Sequence, residues 1–128
     1  MAVTSTIPFP TSGKWYMEVE CISKAVDQIT YFWDNSNIYG TAGEGSITFQ
    51  NECPAGQTLS IAVDRDAETV TSYFNNVQSE VFNLKSDIEY FFFLYDYQGG
   101  DYRFNFGQKP WTYQTPAGFL SLNTKNLP

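Results

Sequence analysis

The sequence predicts an all-β fold, an antiparallel two-sheet β-sandwich, and three observations predict it. Short segments alternate apolar with polar residues and are separated by turn-forming clusters. No segment of useful length carries apolar residues at helical spacing. The last third runs from an alternating strand, Tyr102-Arg103-Phe104-Asn105-Phe106, into a Gly107-Gln108-Lys109-Pro110 corner. Residues 107–128 then read as an extended, Pro-punctuated latch across the surface, with Trp111 packing it down.

The elements follow in order. Residues 1–11 form either an arm that reaches a neighbouring subunit or a short edge strand of their own domain. Val3 and Ile7 favour a strand, while Pro8 and Pro10 deny it donors. In residues 14–21, Trp15, Met17, Val19 and Cys21 share one face, and Tyr16, Glu18 and Glu20 share the other, read as solvated. Residues 29–33 make a second apolar run, ended by the turn formers Asp34, Asn35, Ser36 and Asn37, and residues 47–49 a short third. Leu59, Ile61 and Val63 alternate with Ser60, Ala62 and Asp64; residues 64–68 turn the chain and residues 69–74 return from it. Residues 89–97 are continuously apolar, as suits a central strand covered on both faces. Gly99-Gly100 turns the chain into the final strand, where Tyr102, Phe104 and Phe106 point one way and Arg103 and Asn105 the other.

Composition excludes several functions. The 128 residues make one domain, and 14 acidic against 7 basic side chains give a net charge of −7 with no basic run, which argues against nucleic acid as a partner. The longest oily run, residues 91–95, is strand-sized, far short of the ~18 residues a membrane helix needs. The first residues lack the basic and apolar regions of a secretion signal, so synthesis in a cytoplasm is the expectation. On that basis Cys21 and Cys53 are expected as two free, mostly buried thiols. The chain has no histidine, which removes the usual general base, the usual partner of a Ser or Cys nucleophile, and the commonest zinc ligand. Aromatic residues reach 18%, enough to place rings on a recognition surface as well as in the core.

Three blocks of sequence resemble a SPRY domain, the concanavalin A-like jelly roll, in the variety found in phage and prophage virion proteins. They are Ser12-Gly13-Lys14-Trp15-Tyr16-Met17-Glu18-Val19; then Ile61-Ala62-Val63-Asp64-Arg65-Asp66 with Val70-Thr71 and Phe74-Asn75; then Asn105-Phe106-Gly107-Gln108-Lys109-Pro110-Trp111 with Tyr113, Pro116, Gly118-Phe119 and Leu122-Asn123. Asn76 stands where the family usually has glycine, and asparagine tolerates the left-handed angles of that turn. Relatives carry one or two further strands before the first block, so the sandwich, residues 12–128, is N-terminally shortened. An unfilled edge invites pairing with another subunit. The resemblance implies a non-enzymatic virion structural or binding module, made in the host cytoplasm and carried on the particle. Its first reading is a capsid or tail decoration protein in a homo-oligomer or lattice, contacting other virion proteins. The alternatives are a fibre-associated domain for a host-surface glycan and a binding module for a cellular protein.

Candidate sites follow. Glu18 and Glu20 lie about 7 Å apart along one strand, as in glucanases of this same sandwich; the third acid of that pattern would fall at Ser23, so the pair reads as non-catalytic. Asp64, Asp66 and Glu68 have calcium-like spacing but lack the loop glycine, and read as a hairpin turn whose Asp side chains bond backbone amides. No cofactor, metal or catalytic residue is expected. The partner-binding candidates are the ring-and-amide segments holding Trp33, Asp34, Asn35, Asn37 and Tyr39, and Asp96, Tyr97, Gln98 and Asp101. Rings flanked by such groups suit sugar stacking or a protein hot spot, and the resemblance brings both segments to one end of the sandwich.

Overall fold

A computed structural model describes residues 2–4, 9–22, 29–34, 47–49, 56–86, 90–95 and 101–122; for 2–4, 29–34, 47–49 and 91–95 it gives the backbone. These residues form strands β1 (Ala2–Thr4), β2 (Lys14–Cys21), β3 (Ile29–Asp34), β4 (Ile47–Phe49), β5 (Thr58–Asp64), β6 (Thr69–Phe74), β7 (Val77–Asn83), β8 (Tyr90–Tyr95), β9 (Tyr102–Asn105) and β10 (Leu120–Ser121), with no helix among them. One sheet has the order β1-β8-β3-β4 and the other β10-β2-β5-β6-β7, with β9 also on β2. The pairings are antiparallel except one: Leu120 and Ser121 run parallel to Trp15 and Tyr16. β8 is central in its sheet, as its continuous apolar run predicts, with β1 and β3 as neighbours.

Of the two placements open for the N-terminal segment, the structure shows the edge strand: Ala2, Val3 and Thr4 lie opposite Tyr95, Leu94 and Phe93. Beyond the prolines, Phe9 N donates to Tyr90 O at 2.8 Å and its ring is buried. Deleting residues 2–4 should therefore lower the melting temperature of the isolated chain by several degrees, since about 1 kcal/mol moves a domain of this size by roughly 3–6 °C. Circular-dichroism melting reads this directly; an unchanged temperature would leave β1 without a structural role.

Trp15, Met17, Val19 and Cys21 of β2 meet Leu59, Ile61 and Val63 of β5 and Val70 of β6 in a core that Phe9, Leu84 and Tyr90 complete. The opposite face of the sheet departs from the expectation of a solvated surface. Tyr16, Glu18, Ser60 and Ala62 are each no more than 3% exposed. The reason is the C-terminal latch, which covers this second face, so the strands alternate between two buried environments.

Both hairpin expectations hold. Asn75 and Asn76 take φ of 48° and 69°, the left-handed pair a tight hairpin demands, and Asn75 Oδ1 accepts from Thr58 N at 3.0 Å. In the 64–68 turn, Asp64 Oδ1 accepts from Ala67 N and Asp66 Oδ1 from Gly13 N, both at 2.9 Å. The two aspartates are thus engaged by amides, while Glu68 Oε2 lies 3.6 Å from the Arg65 guanidinium. The expectation of two free thiols is corrected: Cys21 is disulfide-bonded, and the sequence has one other cysteine, Cys53. Proximity is the reason. Gly56 N, three residues after Cys53, donates to Cys21 O at 2.7 Å, so the fold brings that part of the chain to the end of β2.

Candidate functional site

The corner and latch are built from side chains that replace missing ladder bonds. At the end of β9, Asn105 is buried; its Oδ1 accepts from Gly107 N at 2.9 Å and its Nδ2 donates to Lys109 O and Pro110 O at 3.2 and 3.1 Å. Gln108 spans the same turn, accepting from Phe106 N at 2.7 Å and donating to Phe104 O at 2.8 Å. Gly107 supplies the φ of 106° that the reversal needs. The chain then returns over β2, where Glu18 holds it: Oε1 accepts from Thr112 N at 2.8 Å, and Oε2 accepts from Tyr113 N and from the Tyr16 hydroxyl, both at 3.0 Å. The Trp111 ring stands edge-on to Tyr16 at 4.8 Å, and Lys14 lies over Phe119 at 5.9 Å.

Burial under the latch holds the Tyr16 phenol well above the usual tyrosine range, with the Glu18 carboxylate adding to the rise and Ser60 opposing it. The phenol thus keeps its proton in the folded chain at a pH where the unfolded chain has lost it. Its contribution to stability is full below about pH 10 and is lost as pH rises beyond that, by about 1.4 kcal/mol per pH unit. Urea titrations from pH 9 to 11.5 should show this alkaline loss, and Tyr16→Phe should flatten it; an unchanged slope would place its origin elsewhere.

Strand direction assigns the turns to two ends of the sandwich. Asp34, the last residue of β3, lies opposite Tyr90, the first of β8, whereas Tyr95 closes β8 at the far end beside Ala2. The β3 end at Asp34 and the β8 end at Tyr95 therefore lie at opposite ends of the sheet they share. Asn35, Asn37, Tyr39, Asp96, Tyr97 and Gln98 lie outside the described residues; Trp33 and Asp34 are described as β3 backbone. Asp101 is described and exposed, and its carbonyl accepts from Ile22 N at 2.8 Å.

Around Asp101 the structure brings together residues that sequence reasoning missed. Cys21 N donates to Gln57 O at 2.9 Å, Asn75 N donates to Thr58 O at 2.9 Å, and the Tyr113 hydroxyl donates to Asn75 Oδ1 at 3.4 Å. Ile22, Gly56, Asn75, Asn76 and Asp101 are all exposed on this frame. Beside it Arg103 and Glu20 form a 3.0 Å ion pair at the surface. Ile22, 40% exposed, is thus held by its amide against Asp101 among exposed polar groups. Among the described residues no group of three or more His, Cys, Asp or Glu could hold a metal ion.

No family model and no curated protein matches the chain. Among solved structures, the SPRY domain of human HERC1 superposes with a TM-score of 0.53 at 11% identity, covering 86% of this chain and 80% of that one. The fold is SPRY-like. The two blocks that carry the sequence resemblance furthest also carry structure: the first is β2 with its buried Glu18, and the third is the corner and latch that Glu18 holds.

Proposed function

We propose that this chain is a non-enzymatic protein-binding module that serves as a capsid or tail decoration protein of a phage particle, its partner being another virion protein. The observation that carries the non-enzymatic part is the state of Glu18. A glycosidase reading needs this carboxylate open to substrate, yet it is 2% exposed and already accepts three hydrogen bonds. The SPRY-like fold and the exposed Ile22 beside polar Asp101 support protein binding, and the two sequence blocks support the virion setting. A subunit held in a symmetric array or lattice presents the same frame at every site, which suits a surface protein of a particle.

Mass spectrometry of purified particles with immunogold labelling tests the reading. Label over the whole head, or along the tail, is the expected result. Label confined to fibre tips would replace decoration with glycan adhesion, and absence of the chain from particles would overturn the virion role.

A further inference from the structure

Cys21 ends β2 where several segments of chain meet. Its amide donates to Gln57 O, its carbonyl accepts from Gly56 N, the next amide donates to Asp101 O, and its Cα lies opposite that of Tyr102. Its side chain is fully buried and disulfide-bonded. With Cys53 as the chain's other cysteine, the bond closes a loop from residue 21 to residue 53. That loop carries β3 and β4, two of the four strands of the β1-β8-β3-β4 sheet, while β2 belongs to the other sheet. The bond thus fastens half of one sheet to the end of a strand in the other, at the end of the sandwich that bears Ile22, Gly56 and Asp101.

We propose that this disulfide is a redox-set lock on that end of the sandwich. In reducing surroundings the chain is a folded dithiol whose frame around Ile22 and Asp101 opens readily; in oxidising surroundings the frame is closed. The closing step is thiol–disulfide exchange with a small-molecule disulfide such as oxidised glutathione. One cysteine thiolate attacks it to give a mixed disulfide and releases one glutathione thiolate. The second cysteine, on losing its proton, displaces the other, so two protein thiols are oxidised and one small disulfide is reduced to two thiols. Attack on the Cys21 sulfur, which has no exposure in the folded chain, needs this end of the sandwich to open first, so reduction at that sulfur is slowed. The proposal concerns this chain alone and holds whatever its partner is.

The full chain is equilibrated in reduced and in oxidised glutathione, then alkylated, weighed and melted. Two adducts in the first buffer and none in the second are expected, with the melting temperature about 10 °C higher in the oxidised form, as closing a loop of this length implies. Amide exchange at Ile22 and Gly56 should quicken at least tenfold on reduction while Ile61 is unmoved. Dithiothreitol should open the bond far more slowly in buffer than in urea. Cys21→Ala should melt like the reduced protein in either buffer; if that variant does not fold, the two forms of the unaltered chain still decide. Equal melting temperatures, two adducts in excess oxidised glutathione, unchanged exchange at Ile22, or equal reduction rates with and without urea would each overturn the proposal.

Discussion

Glu18→Ala should cost about 3–5 kcal/mol and free the latch. The carboxylate is buried and serves three donors, Thr112 N, Tyr113 N and the Tyr16 hydroxyl. A hydrogen bond to a charged group contributes about 1.5–3 kcal/mol, and a buried donor left without an acceptor costs about 1–3 kcal/mol. The sum of three such losses is not reached, because the latch can lift and let water in, so the ceiling is the free energy of docking the latch. Lifting would expose Tyr16, Ser60 and Ala62, and proteases should then cut within residues 110–119 of the variant well before the rest of the chain. Glu18→Gln keeps one acceptor but sets an amide N–H against a donor, and should fall between. Glu20→Ala is the control: its partner Arg103 is exposed, and surface pairs contribute about 0–1 kcal/mol. Urea denaturation of the three variants gives the order, and a Glu18→Ala loss as small as that of Glu20→Ala would mean that the latch is held by its rings instead.

The sequence showed most strands and misjudged what covers them. Alternation placed Trp15, Met17, Val19, Leu59, Ile61 and Val63 in the core, where they are. Period-two patterning names the face that is apolar, but it is silent on whether a distant segment lies over the other face. The face of Tyr16 and Glu18 therefore reads as solvated, whereas both are buried with the latch against them. β7 escaped notice for a related reason. It is an edge strand with Val77, Gln78, Ser79 and Val81 exposed. A bulge also breaks its period: Gln78 faces Tyr73 and Glu80 faces Ser72, leaving Ser79 with no opposite residue. Redox compartment does not decide the disulfide, because the end of β2 and the approach to β5 are brought together by the ladder itself.

Asn105→Ala is expected to destabilise by about 2–4 kcal/mol, as much as truncating the aromatic next to it. The final strand looks in the sequence like an aromatic stripe with polar residues facing out, and Phe104→Ala would then carry the largest loss. The structure divides the weight differently. Tyr102, Phe104 and Phe106 pack against the core but are partly exposed, with Phe104 and Phe106 stacked at 6.2 Å, whereas Asn105 is 3% exposed. Phe104→Ala should therefore lose about 2–3 kcal/mol, below the 3–5 of a fully buried ring. Asn105 supplies both an acceptor for Gly107 N and donors to two successive carbonyls, so it sets the direction in which the chain leaves β9 toward Glu18. Asn105→Asp separates these roles. It keeps the acceptor for Gly107, removes both donors, and turns a carboxylate oxygen toward Lys109 O and Pro110 O, where like partial charges repel in a buried site. That variant should melt no higher than Asn105→Ala. It should also share the latch proteolysis of Glu18→Ala, because a misdirected corner cannot deliver Thr112 and Tyr113 to their acceptor. If Asn105→Asp melts with the unaltered chain, the two donor bonds contribute nothing, and the corner is fixed by Gly107 and Gln108 alone.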